Sequence, residues 1–253
     1  MRADSFFAEK YGSRTRAKEA LLKGLVLRAG KPLSPSDDVK EGDEIQFLDA
    51  AETYVSRGGF KLARGLDTFG ESVEGCVFAD LGASTGGFCD VLLRRGIKRV
   101  YAVDVGESQL DMRIANDRRV TVMDGVNARY LKKEDFPEQL DGVVSDLSFI
   151  SLKLVLPAVA ELLSEGGRAF VLFKPQFECG GAGLGKSGIL PVKYHKPLLA
   201  DFYAFCCGLG LAPQGVVNAP LHERKNIEYV VFLKKGAHPA SINEFLACAA
   251  RLI

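Results

Sequence analysis

DLGASTGGFCD, from Asp80 to Asp90, follows the apolar run CVFADLG (76–82) and leads into a stretch with helical spacing over about 87–95. A strand that passes through a glycine turn into a helix brings backbone N–H groups close to whatever ligand lies at the helix start. The turn alone does not name that ligand. It does ask whether the same strand-to-helix step repeats along the chain, because repetition is what separates an α/β sheet from an isolated motif.

It repeats. Strand-like runs follow at RVYAVDVG (99–106), VTVMDG (120–125), DGVVSDLSF (141–149), RAFVLFKP (168–175), QGVVNAPL (214–221) and NIEYVVFLKK (226–235), with helical stretches at about 107–116, 151–164 and 193–208. Apolar strands alternating with helices predict a mostly parallel, seven-stranded sheet covered on both faces, of the Rossmann-like α/β class. Such sheets bind ligands beyond the carboxyl ends of their strands, near the switch point.

Ahead of this region, two short helices are expected at about 3–11 and 14–23, with Ser5 and Ser13 placed to cap or enter them. GLVLRAGKPL then predicts a hairpin turning at Gly30-Lys31, and DVKEGDEIQFL a further β segment after Gly42-Asp43. The joint DAAETYVSRGGFKLARGL is expected to break at Gly58-Gly59 and present Lys61 on a new helix. These signals divide the chain into an N-terminal α+β unit (1–48), a linker (49–57), an α/β domain (58–236) and a C-terminal amphipathic helix (237–253).

The chain has 253 residues, 47% hydrophobic and 26% charged, which suits one large soluble domain with a small companion. Its start is polar and charged, with no signal-peptide core, and no stretch approaches the ~18 apolar residues of a membrane span. A cytoplasmic location is expected. The six cysteines include no C-x-x-C pair and the three histidines show no ligand spacing, so reduced thiols and no metal are expected. Charge is uneven: residues 1–31 hold eight basic and three acidic side chains in a chain of net charge +1. Arg14, Arg16, Lys18, Lys23, Arg28 and Lys31 are therefore candidates for contacts to nucleic-acid phosphates.

Three ligands compete for the glycine turn. A dinucleotide wants G-x-G-x-x-G, but Ser84 stands where the second glycine should be. A triphosphate loop is matched letter for letter by GGAGLGKS (180–187), yet that segment starts well past its strand and runs into Gly188 and Pro191, which oppose the helix a phosphate loop needs. A flexible flap fits it better. S-adenosylmethionine needs room at a bare turn and an acid at the end of the next strand for its ribose hydroxyls. Asp104 is that acid. The candidate cofactor set is Asp80, Gly82, Ser84, Thr85, Gly86, Gly87, Phe88, Asp104, Asp124, Asn127 and Asp146.

The basic helix pair followed by GLVLRAGK and VKEGDEI resembles the αL RNA-binding domain. YVSRGGFKL, DLGASTGGF, VYAVDVG, NARYL, DLSFISL, FKPQFE and NIEYVVFLK, in that order, resemble the TlyA family, also called hemolysin A, of ribosomal RNA 2′-O-methyltransferases. These join an αL domain to an FtsJ-like methyltransferase domain. The resemblance implies S-adenosylmethionine as cofactor, ribosomal RNA or ribosomal subunits as partner, and a Lys-Asp-Lys-Glu catalytic tetrad carried onto Lys61, Asp146, Lys174 and Glu228. Lys174 is the candidate base, since charge at the end of an apolar strand is costly unless used or paired. Cys89 and MDGVN (123–127) depart from the family pattern near the expected adenine site. Two other readings remain open: a noncatalytic RNA- or ribosome-binding protein, and a membrane-active hemolysin, for which no spanning segment or strongly basic amphipathic helix with aromatic anchors speaks.

Overall fold

The structure, a computed structural model, describes residues 1–48, 54–185, 187–220 and 225–250. Residues 49–53 of the expected linker, Lys186 of GGAGLGKS and residues 251–253 of the expected terminal helix lie outside the described residues.

The N-terminal unit comprises α1 (Ala3–Phe6), α2 (Arg14–Leu22) and an antiparallel sheet of β1 (Val26–Arg28), β2 (Lys31–Pro32) and β3 (Ile45–Phe47), in the order β2-β1-β3. Ser13 caps α2, its side chain accepting from the Arg16 N–H, because the exposed first turn has no other acceptor for that donor. Ser5, expected as a cap, instead lies inside α1, which is shorter than its sequence suggested. The hairpin turns at Ala29 and Gly30, both with positive φ, one residue earlier than expected. Ala3, Phe7, Ala17, Leu21, Val26, Leu33 and Val39 form its small core.

Gly58 and Gly59 do not break regular structure; they open α3 (Gly58–Phe69). The reason is space. A Cβ on Gly59 would lie 2.4 Å from Tyr54 Cγ, so glycine here lets the incoming chain fold back against the helix start.

The large sheet contains β4 (Val77–Leu81), β5 (Arg99–Asp104), β6 (Val120–Asp124), β7 (Leu140–Ser145), β8 (Leu163–Phe173), β9 (Leu211–Asn218) and β10 (Tyr229–Lys235). Its order is β6-β5-β4-β7-β8-β10-β9, parallel throughout except that β10 runs antiparallel to both neighbours. The order reverses at β4, which places the switch point between β4 and β7.

Helices cover both faces. α3 and α4 (Gly87–Arg94) bury Leu62, Leu66, Val91 and Leu92 against Phe78, Val144, Phe170 and Phe232. On the other face, α6 (Leu156–Leu162), α8 (His195–Gly208) and α9 (Ile242–Ala250) cover Ala79, Val143, Val171, Phe173 and Val231. Successive strand residues alternate between the two cores, as the pleat requires. Of the expected helix at 107–116 only α5 (Met112–Ala115) forms, because the preceding turn is held by side chains: Asp124 accepts from Ser108 N at 2.9 Å and Asp104 from Gly106 N at 2.8 Å. A one-turn α7 (Pro175–Glu178) follows β8.

Candidate active site

Four charged side chains converge at the carboxyl ends of β7 and β8. Asp146 is the residue after β7 and Lys174 the residue after β8, so their backbones are adjacent in a parallel pair. Lys61 comes from the first turn of α3. Glu228 arrives from the opposite chain direction. Because β10 is antiparallel to β8, with Tyr229 opposite Phe173, the residue before β10 lands beside the residue after β8.

The distances make one connected network. Lys61 Nζ lies 2.8 Å from Glu228 Oε2 and 3.2 Å from Asp146 Oδ2, and Lys174 Nζ lies 2.7 Å from Asp146 Oδ1. Lys174 Nζ also donates to Ser148 Oγ at 2.8 Å. Two cations and two anions cancel, which is what allows a lysine whose side chain is only 6% exposed to remain at the end of an apolar strand. Burial works against the charge on Lys61, but Asp146 and Glu228 outweigh it and hold the ammonium above the ordinary lysine value. Burial likewise opposes ionisation of Asp146, and Lys61 and Lys174 overcome it, pulling that carboxyl below its usual range.

The tetrad lines one wall of a cavity of about 740 Å³. Gly82, Ser84, Thr85, Gly87 and Phe88 of the glycine turn line another. The turn cannot tolerate side chains: Gly82 has φ +83° and a Cβ there would sit 2.9 Å from Leu147, while one on Gly87 would sit 2.3 Å from Ser56 Oγ. Gly86 (φ +89°) starts α4 and stays outside the cavity lining.

The remaining expected cofactor residues do not join the tetrad. Asp80 is completely buried beneath the turn, where Oδ2 accepts from Cys89 N and Sγ, both at 3.1 Å. Asp104 ends β5 and accepts from Ser84 N and Gly106 N, both at 2.8 Å, so it shapes the turn while each oxygen keeps a lone pair for a further donor. Asp124 holds Ser108 N, and Asn127 caps its own following turn by accepting from Arg129 N at 3.1 Å. These three edge the β5–β6 end of the sheet. Bare glycines at the turn, acceptors on Asp104 and an acidic rim around it suit a hydroxyl-bearing, positively charged cofactor such as S-adenosylmethionine.

The sequence reading missed several lining residues. Ser148, Gln176 and Asn226 lie inside motifs already quoted, so their adjacency to Asp146, Lys174 and Glu228 was the available signal. Glu19, Leu22 and Ser34 of the N-terminal unit also line the cavity, and no local pattern announces that. The two units touch where Arg57 Nη1 donates to Ser34 Oγ and where Gly24 packs against the Phe60 ring. Of the six basic candidates, Lys23 reaches the cavity, and Arg16, Lys18 and Lys31 are exposed. Arg14 and Arg28 pair internally with Asp4 and Asp43, each at 3.2 Å.

GGAGLGKS is no phosphate loop in this fold: α7 intervenes between β8 and the segment, and Ser187 is followed by turns rather than by a helix.

A sheet of this order, with a glycine turn after β4, an acid ending β5 and a charged tetrad at the switch point, defines a Rossmann-like S-adenosylmethionine-dependent methyltransferase. Structures of this class with less than 25% identity share the fold, among them a Listeria monocytogenes S-adenosylmethionine-dependent methyltransferase structure with a TM-score of 0.54. Residues 54–235 match the FtsJ-like methyltransferase family, and the chain belongs to that family. It is 38% identical over 230 residues to the 16S/23S rRNA (cytidine-2′-O)-methyltransferase TlyA of Mycobacterium tuberculosis, covering 88% of this chain and 84% of the relative. Hemolysin A of Brachyspira hyodysenteriae is 40% identical over 194 residues, covering 75% and 80%. A solved Streptococcus thermophilus structure carrying a hemolysin label superposes with a TM-score of 0.76 at 37% identity, covering 99% of this chain and 96% of that one. Among the described residues no helix is long and apolar enough to cross a membrane.

Proposed function

We propose that the protein methylates a ribose 2′-hydroxyl of ribosomal RNA in the cytoplasm, with Lys174 as the base and Lys61, Asp146 and Glu228 completing the catalytic set. The observation that carries this reading is the single network in which Asp146 pairs with both lysines while Glu228 holds Lys61. The TlyA relatives, named for cytidine-2′-O methylation, support the choice of a sugar hydroxyl as acceptor.

S-adenosylmethionine, when bound, supplies a methyl group on a positively charged sulfur. The chain supplies the rest. Acting as the neutral amine, Lys174 takes at Nζ the proton of a hydroxyl seated against it as that oxygen becomes nucleophilic, and Asp146, fixed by the Lys61 cation, keeps that nitrogen in place. Lys61, held as an ammonium by Asp146 and Glu228, offers positive potential toward the negative charge that develops on the oxygen. Gly82, Ser84, Thr85, Gly87, Phe88 and Asp104 would hold the cofactor, with Asp80, Gly86, Asp124 and Asn127 shaping its surroundings. Residues 1–48 serve as an αL RNA-binding domain, with Arg16, Lys18, Lys23 and Lys31 as its free cationic face and Arg14 and Arg28 beside them.

Transfer of labelled methyl from S-adenosylmethionine to ribosomal subunits and to deproteinised ribosomal RNA, with digestion to nucleosides, tests this. Label in a 2′-O-methylnucleoside, lost in Lys174→Ala, is the expected result. Label on a base, or cofactor binding without transfer to any RNA, overturns it, the latter in favour of a noncatalytic RNA-binding protein.

A further inference from the structure

A lysine amine has three positions besides its bond to Cε, and its usefulness as a base depends on which of them faces the substrate. At Lys174 two sides are occupied. Ser148 Oγ accepts an N–H at 2.8 Å, and Asp146 Oδ1 stands against the amine as an ion-pair partner at 2.7 Å. We propose that Ser148 is a positioning residue for the transfer reaction: with Asp146 it fixes the rotation of the Lys174 amine so that its third position, the lone pair of the neutral base, is left for the acceptor hydroxyl. This rests on the reading of Lys174 as the base.

The surroundings support a built orientation. The Lys174 side chain is almost fully buried, so bulk water does not compete freely for its N–H groups. The Phe177 ring closes a further side, its centroid 5.8 Å from Nζ. Ser148 is held in register from both directions. Behind it stands Asp146, and ahead of it Phe149 adopts a left-handed backbone with φ +64°, a conformation a non-glycine residue keeps only where its surroundings enforce it.

Glu178 ties down the segment that follows Phe149. Its Oε2 accepts from Ser151 Oγ at 2.5 Å and its Oε1 from Leu152 N at 2.8 Å. Glu178 lies in α7, which begins immediately after Lys174. The segment that carries the acceptor and the segment that carries the amine are thus clamped together by one carboxylate, four residues from the base.

Full-length Ser148→Ala, Ser148→Thr and Lys174→Ala proteins, assayed for methyl transfer to ribosomal subunits under saturating and limiting substrate, test the inference. Ser148 is exposed, so alanine leaves the fold intact. Ser148→Ala lowers kcat by about tenfold, with KM for RNA and the affinity for S-adenosylmethionine unchanged, and Ser148→Thr, which keeps the oxygen, recovers most of the rate. A wild-type kcat in Ser148→Ala, a loss confined to KM, or no recovery with threonine overturns the assignment. Lys174→Ala separates the two levels: if it retains full activity the base itself is wrong, whereas if it is inactive and Ser148→Ala is unaffected, only the positioning role is.

Discussion

Asp80→Asn should make the protein more stable at neutral pH, and by an amount that grows with pH. Asp80 is 0% exposed, and its Oδ1 has no hydrogen-bond partner among the described residues. Burial pushes its carboxyl from the ordinary 3.8 up to about 7, opposed by the hydrogen bonds from Cys89 and reinforced by Asp146 and Asp104. That displacement corresponds to about 4 kcal/mol. The raised folded-state value sets the sign: below roughly pH 4 both folded and unfolded chains hold the proton and Asp80 costs nothing, while from there to roughly pH 7 the unfolded chain ionises freely and the folded one does not. Stability is lost as pH rises through that window. Asparagine is nearly isosteric, cannot ionise, and still accepts from Cys89. The assay is urea unfolding of wild type and Asp80→Asn in the absence of cofactor from pH 4 to 8. The difference between the two cancels the titrating groups that do not interact with Asp80. It should move by about 4 kcal/mol in favour of the variant across the window, and a difference that stays flat with pH would refute the reasoning.

Asp4 shows the opposite sign. Arg2, with Arg14, outweighs burial and pulls its carboxyl down to about 2, so the stability it contributes is lost as pH falls from roughly 4 toward 2. The arginine side chains are 51% and 61% exposed, which limits the effect to about 1 kcal/mol, and Asp4→Asn should abolish that part of the acid transition followed by circular dichroism. Gly65 is the contact through which α3 lies on β10, and a Cβ there would be 2.6 Å from Val230 Cγ1. Gly65→Val should cost about 1–3 kcal/mol in chemical denaturation, with Val230→Ala restoring part of it in the double variant. Tyr229 donates its hydroxyl to the buried His195 Nδ1 at 2.9 Å, and burial holds that imidazole below its ordinary value. Tyr229→Phe should cost about 1–2 kcal/mol at pH 7 by orphaning the ring nitrogen, measurable as a lowered unfolding midpoint.

What local pattern could reveal, it revealed where residues work through their neighbours in the chain. Strand β4, the glycine turn and α4 form one continuous signal, since apolar period and bare glycines are local properties. The tetrad was legible because each member sits inside a short motif. The misplacements share a cause. Gly58-Gly59 read as a break because glycine is a poor helix former in isolation, whereas here it is needed to admit Tyr54 against the first turn of α3. The helix expected at 107–116 shrank because Asp104 and Asp124, distant in sequence, captured the N–H groups of Gly106 and Ser108.

The sequence by itself determined the fold class, the family and the four charged residues, because apolar periodicity and contiguous motifs are written in single segments. Only the tertiary structure decided that Asp80 lies buried beneath the turn, that Ser148 accepts from Lys174 while Glu178 accepts from Ser151 and Leu152, and that Lys23 and Ser34 of the N-terminal unit reach the same cavity as the tetrad. Each depends on a contact between segments far apart in the chain. The antiparallel β10 is the clearest case: reversing the strand between β8 and β9 is what carries Glu228 to the Lys174 end, and no residue within that strand's own pattern encodes its direction.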